Sequence, residues 1–385
     1  MREARSSANR QAVPVDAGVD PLSAGFGLFE PPVSTGMNLT IGELNGFSAL
    51  RRLWNFSLAE LDPGRFLGSY PSTQGTWRLA ESVQWLRAAE RGERVDPYGI
   101  VASHGGLDAL CHALAPLPAA SPVFYATPGW LFQIPVVRAG HRPCPLPWRL
   151  EDPVEVWLDL VEKKVAGCAG PAGLIVNFPR NPSGTLARAG DWERLADLVT
   201  RYDMLLVVDD VYGFEDPSPR RLPAGHDRVV VVDSVSKRLG APGLRLGYLM
   251  CSRAELPAVR ASAARTSVGV SPLVSELAAI AIERYVAEQT GQAVRDELAA
   301  RRGRTREAGG SLGDRLLLAD HGLYGCVRIP DDVAPEQFAA ELRRQGFALS
   351  VGGDIQGPYL RFCLGSHPDV HQAAKSIAAL EGTGA

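Results

Sequence analysis

Short apolar runs separated by amphipathic stretches dominate the middle of the chain. Residues 99–101, 122–126, 134–137, 174–176, 205–208, 229–232 and 246–250 are rich in aliphatic and β-branched side chains and do not alternate with polar ones. Runs of this kind read as strands buried on both faces. Between two of them, Trp192, Leu195, Leu198 and Val199 recur at helical spacing. Strand–helix–strand order predicts an α/β fold, a mainly parallel sheet clad by helices. After about residue 270 the pattern changes. Residues 274–308 read as one or two long helices, with Leu277, Ile280, Ile282 and Val286 apolar. A strand over 325–329, a helix opened by Pro335 and stopped at Gly346, strands over 347–351 and 359–363, and a helix over about 368–380 follow. These suggest a smaller α+β domain. Residues 1–40, rich in Ser, Ala, Gly and Pro, read as a loose arm expected to pack on that domain. The expected division is 1–60 for the arm and part of the small domain, 61–272 for the large domain and 273–385 for the rest of the small one.

Composition narrows the field. The chain has 385 residues, room for roughly two domains of about 100–200 residues each. Its net charge of −3 offers no basic field for nucleic acid or anionic membrane. Six cysteines lie scattered without CxxC spacing, which suits reduced cytosolic thiols better than a disulfide framework. The seven histidines form no metal-ligating pattern. No apolar leader opens the chain, and no apolar run approaches the ~20 residues of a membrane span. A cytoplasmic protein without a metal is expected.

In an open parallel sheet, ligands bind at the carboxyl ends of strands. Five predicted strand ends carry residues suited to one ligand. They are Ser103-His104-Gly105-Gly106-Leu107, Thr127-Pro128-Gly129-Trp130, Asn177 to Gly184, Asp209-Asp210-Val211-Tyr212, and Asp233 to Lys237. Lysine amines shift pKa readily when desolvated, so Lys237 can form an imine with an aldehyde cofactor. Ser234, Ser236 and Arg245 can hold that cofactor's phosphate. Gly105, Gly106 and Leu107 would add backbone N–H groups at a helix N-terminus, an anion site that glycine lets a ligand approach closely.

Three motifs stand in order: Asn181-Pro182-Ser183-Gly184, Asp209-Asp210-Val211-Tyr212, and Ser234-Val235-Ser236-Lys237 with Arg245. The ordered set resembles the class I/II aminotransferases, fold-type I enzymes dependent on pyridoxal phosphate (PLP), from about residue 40 to the C-terminus. The resemblance implies a large domain with a mostly parallel seven-stranded sheet and a smaller α+β domain. It implies that Lys237 carries the cofactor and moves a proton, and that Asp209 pairs with the protonated ring nitrogen. Asp210 is then the solvated or capping member of the pair. Asn181 and Tyr212 would bond the cofactor's phenolic oxygen, and Trp130 would stack on the ring. Tyr70 would reach the phosphate from a second subunit, which implies a homodimer.

Arg361, in Tyr359-Leu360-Arg361-Phe362-Cys363, would grip the substrate carboxylate, with Asn181 beside it. Gly42 would belong to a loop closing over substrate, with Glu43 and Asn45 as possible specificity contacts. Two departures stand out: Leu107 where a hydroxyl is usual, and a short 352–357 loop opened by Val351. An amino-acid aminotransferase is the expected activity. A β-eliminating or carbon–sulfur lyase, or a decarboxylating or oxidatively deaminating enzyme, would use the same parts. The Ala, Arg and Gly richness suits a high-GC bacterial source, where such enzymes often serve secondary metabolism. A regulator's aminotransferase-like sensor domain is disfavoured, because only about 40 residues precede the resemblance. A dinucleotide-dependent oxidoreductase is disfavoured because no GxGxxG follows a strand.

Overall fold

The computed structural model describes residues 36–68, 70–216 and 227–382. The apolar runs form a seven-stranded sheet. Its strands are β1 (Ile100–Ser103), β2 (Pro122–Thr127), β3 (Arg142–Pro147), β4 (Gly173–Asn177), β5 (Leu205–Asp209), β6 (Val229–Ser234) and β7 (Gly247–Cys251). Their spatial order is β1-β7-β6-β5-β4-β2-β3. β7 runs antiparallel to both of its neighbours, and the remaining pairs are parallel.

The missing hydrophobic alternation has the expected cause: both faces are buried. Leu206, Val208, Val229 and Val231 pack into one core with the helices Trp77–Arg91, Ala189–Arg201 and Pro272–Ala287. Their neighbours Leu205, Val207, Val230 and Val232 pack into a second core with the helices Gly106–Ala113 and Leu256–Thr266. The four valines of β6 are all essentially inaccessible. Each contributes about 1.5–3 kcal/mol relative to exposure, which makes β6 a rigid base for the polar residues after it. Local signals set the helix ends. Thr76 accepts a hydrogen bond from the Leu79 N–H, and Gly92 closes the same helix at φ 66°.

One predicted strand is a helix. Residues 134–137 lie in the helix Gln133–Arg138, and the edge strand is β3 instead. β3 escaped notice because it carries Pro143, Pro145 and Pro147. The N–H groups that reach β2 flank this series at even positions: Arg142 donates to Ser121 and Trp148 to Thr127. The prolines therefore occupy the positions whose N–H would point away from the sheet, which only an edge strand tolerates.

The 274–308 stretch resolves into two helices, Pro272–Ala287 and Thr290–Ala308. A four-stranded antiparallel sheet follows, ordered Ser350–Asp354, Gly357–Cys363, Tyr324–Arg328 and Leu316–Leu317. Met37–Asn38 pairs in parallel with Phe347–Ala348, so the described end of the arm meets this region. Residues 1–35 of the expected arm lie outside the described residues. No described helix is long and apolar enough to cross a membrane.

Candidate active site

The carboxyl ends of β4, β5 and β6 open into a cavity of about 310 Å³. Gly106, Leu107, Trp130, Asn181, Asp209, Tyr212, Ser234, Ser236, Lys237 and Arg245 all line it, together with Gly42 and Arg361 from the far side. Residues spread from 42 to 361 thus converge on one space, as their sequence motifs suggest. Gly105 stands just behind the wall, and Tyr70 is 92% exposed and outside the cavity.

Lys237 sits in the short helix Val235–Arg238, capped by Ser234, whose hydroxyl accepts from the Ser236 N–H. Its Nζ donates to the Gly42 carbonyl. Burial lowers its pKa, opposed by the negative charge of Glu43 among others. The amine is therefore easier to obtain as a free base than an exposed lysine. Asp209 ends β5 and is 4% exposed. Burial is the main cause pushing its pKa up to about 7, with Asp210 and Asp233 adding to it and the Val211 N–H opposing. It forms no ion pair with a described residue. A buried carboxyl so placed awaits a cation, which suits a protonated ring nitrogen.

Asp210 corrects the sequence reading. It is fully buried rather than solvated. Arg87 Nη1 donates to it at 2.5 Å, and Arg91 Nη2 lies 3.5 Å away. Arg87 also binds Glu93. Nearby, Arg238 donates to Asp233 at 3.0 and 2.8 Å, and Tyr248 donates to the same carboxylate. This buried charge network braces the residues immediately beside Asp209 and Lys237.

A phosphate would meet a suitable cradle. The first N–H groups of the helix Gly106–Ala113 have no intrahelical acceptors. Gly105 has φ 88°, and a Cβ there would stand 2.6 Å from Arg245 Nη2. The positive φ favours glycine here, while the guanidinium is the movable end of an exposed side chain. Arg245 is exposed, and its Nη1 donates only to the Pro242 carbonyl among described groups. Ser234 donates to the Leu246 carbonyl or to Ser236, leaving the Ser236 hydroxyl as the freer donor.

Arg361 lies on Gly357–Cys363 and donates to the Thr40 carbonyl at 2.9 Å, with Asn181 Oδ1 at 3.4 Å. No carboxylate of a described residue neutralises it, and its Nε is buried without an acceptor. It is placed to take a substrate carboxylate. Asn177 fixes the two key loops together: its amide donates to the Asp209 carbonyl and accepts from the Asn181 N–H.

Tyr324 was missed from sequence. Its hydroxyl lies 3.3 Å from that of Tyr212, and the Arg361 guanidinium sits 4.5 Å from its ring centroid. Burial raises the pKa of both phenols. Nothing in the local pattern of 324–328 separates this aromatic from a core residue. Thr40, Ile41, Ile134 and Pro242 also line the cavity without a motif to mark them, and Val211 lines it from within the Asp209–Tyr212 motif.

Residues 34–377 match the model of the aminotransferase class I and II family. The chain belongs to that family. Like its members it depends on PLP, and the residues above fit that cofactor. It is 27% identical to an arginine–pyruvate transaminase of Pseudomonas aeruginosa over 80% of this chain and 81% of that one. It is 25% identical to a glutamate–pyruvate aminotransferase of Escherichia coli over 81% and 79% of the two chains. An aminotransferase structure from Mycobacterium tuberculosis superposes with a TM-score of 0.77 at 20% identity, covering 97% of this chain and all of that one (100%). This last likeness speaks to fold alone.

Proposed function

We propose that the protein moves the α-amino group of an amino acid to a 2-oxo acid, with Lys237 as the catalytic base and carrier. The observation that supports this most is the meeting of Lys237, Asp209 and Arg361 in one cavity. When bound, PLP supplies a covalent attachment for the amine and an electron sink for the charge developing at Cα. The chain's own residues do the rest. Asp209 keeps the ring nitrogen protonated. Asn181 and Tyr212 would bond the phenolic oxygen, and Trp130 would supply an aromatic wall for the ring. Ser236, Arg245, Ser234 and the N–H groups of Gly106 and Leu107 would hold the phosphate. Arg361 and Asn181 orient the substrate carboxylate. Lys237, its charge disfavoured by burial, would act as the base that takes and gives back the proton at the substrate's Cα side.

The relatives named above differ in the amino acids their names carry, so they support the reaction more than the side chain. The two-copy assembly is part of the same proposal. Tyr70 is too exposed to serve its own cavity and is free to reach the phosphate of a second copy. A cytoplasmic site is consistent with six free cysteines.

The test is a half-reaction. Protein loaded with PLP is mixed with amino acids, and the visible band of the lysine-linked cofactor is followed. Its loss with formation of a 2-oxo acid and the pyridoxamine form supports transfer. Ammonia and pyruvate without that form indicate elimination, and carbon dioxide indicates decarboxylation. The K237A protein loses at least ~10⁴-fold in rate, because the general base and covalent carrier go together. A K237A protein turning over at the wild-type rate ends the proposal.

A further inference from the structure

Arg180 stands inside the motif loop, next to Asn181, yet does not line the active-site cavity. Its side chain is 3% exposed, and burial pushes its pKa down to about 10. Among the described residues no carboxylate pairs with it, and its side-chain hydrogen bonds all go to carbonyls. Nη1 donates to Arg149 at 2.8 Å, and Nη2 donates to Trp148 at 2.7 Å and to Pro128 at 2.9 Å. The guanidinium also lies 4.0 Å from the ring centroid of Trp148. Burying a cation is costly unless its donors are used. A planar fork of donors is the side chain suited to several fixed carbonyls at once.

Those carbonyls belong to two other strand ends. Pro128 follows β2, two residues before Trp130, and Trp148 and Arg149 follow β3. The segment after β3 then meets the small sheet. Leu150 packs with Cys326 and Tyr359, and its N–H donates to Asp354 at 3.2 Å. Cys326 lies opposite Arg361 in the strand pairing, and Tyr359 stands two residues before Arg361, on the same face of its strand. Asn181 Oδ1 is 3.4 Å from Arg361 Nη1. The contacts thus form a ring: Asn181, Arg180, segment 148–150, the strand of Arg361, and Asn181 again. The turn that carries Arg180 is closed by its own backbone. The Arg180 N–H donates to the Thr185 carbonyl at 2.9 Å, and the Gly184 N–H donates to the Arg180 carbonyl at 2.7 Å. A shift of the guanidinium is therefore passed to Asn181 rather than absorbed in the turn.

We infer that Arg180 is a positioning residue for recognition of the substrate's carboxylate, setting the separation at which Asn181 and Arg361 grip that group. Both residues have that task in the aminotransferase reading, on which this role rests. Asn181 comes from a loop of the large sheet and Arg361 from the small sheet, so their separation depends on how the two sheets are joined. The guanidinium makes that joint, with its backbone in the motif loop and its donors on the segment that meets the strand of Arg361. Lysine keeps the charge but offers a single nitrogen, which cannot span the three carbonyls in the same geometry. Small displacements of groups that position a substrate cost much of the recognition.

The test reads carboxylate recognition apart from overall fitness. Single-turnover loss of the visible band of PLP-loaded protein is followed with alanine, glutamate, arginine and phenylalanine, and then with the 1-carboxamide of whichever reacts fastest. Wild type favours the acid over its amide. R180K lowers that acid-to-amide ratio roughly 10- to 100-fold, the size of a lost hydrogen bond to a charged group. N181A lowers it by a similar factor, and R180K/N181A lowers it no further, because the two residues act as one unit. L150A frees the far end of the segment while Arg180 stays, and it lowers the ratio in the same direction; it decides the matter if R180K does not fold. A ratio unchanged in R180K, or in L150A where R180K does not fold, overturns the inference, as does full additivity with N181A. Arg180 then serves the fold alone and transamination stands. Failure of every amino acid to discharge the band instead overturns the underlying reaction.

Discussion

Tyr324 holds two functional groups at once, the hydroxyl of Tyr212 at 3.3 Å and the guanidinium of Arg361 above its ring. A cation over an aromatic face contributes about 0.5–2 kcal/mol. The Y324A protein therefore shows a KM for the amino donor raised roughly 3- to 30-fold. Y324F, which keeps the ring, recovers most of that loss and moves the pH midpoint of the visible band instead, because Tyr212 has lost a partner. Steady-state kinetics and a spectroscopic titration separate the two effects. Asp209 makes a prediction of its own. Its pKa of about 7 lies above the ordinary 3.8, so the folded cofactor-free chain binds the proton more tightly than the unfolded chain. Stability then falls as pH rises from about 4 to 7 and levels off above. Cofactor-free D209N is the more stable protein at pH 8, by roughly 2–4 kcal/mol, and the gap closes toward pH 4. Urea unfolding at both pH values checks the sign.

The helix Trp77–Arg91 carries Arg87 and Arg91 beneath the strand ends. Removing one partner of a buried ion pair costs about 3–5 kcal/mol. R87M leaves Asp210 and Glu93 without that guanidinium, lowers the urea midpoint by a corresponding amount, and loosens PLP through the adjacent Asp209. Sequence alone could not reveal this brace. Arg87 and Asp210 stand 123 positions apart, and no local pattern joins them. What was legible was local or alternated with strand ends. β5 and β6 announce themselves by unbroken aliphatic runs, and Asp209 and Lys237 follow directly. The helix Gln133–Arg138 was misread because Ile134, Val136 and Val137 favour strands, whereas packing of Val136 into the second core decided otherwise. Tyr324 was invisible because its role is conferred by Tyr212 and Arg361, residues remote in sequence.

The exposed large apolar side chains include a group in sequence segments that meet in space. Leu67 is 73% exposed, Tyr70 92%, Trp77 47% and Val268 64%. Trp77 and Tyr98 pack with ring centroids 4.9 Å apart, and Gly269 abuts Ser72. Patches of this kind mark contact surfaces. Light scattering is expected to give twice the chain mass, and Y70A is expected to lose PLP roughly 3- to 30-fold faster through a missing phosphate contact. A monomer that retains PLP as tightly as wild type contradicts that arrangement.

The far border of the large sheet tells a complementary story. With Pro143, Pro145 and Pro147 where outward donors would be, β3 presents carbonyls without the matching amides, and a foreign strand laid alongside finds no complete ladder. Self-templated growth toward fibrils is blocked on that flank, so the molecule can be crowded against its own kind without its sheets fusing there.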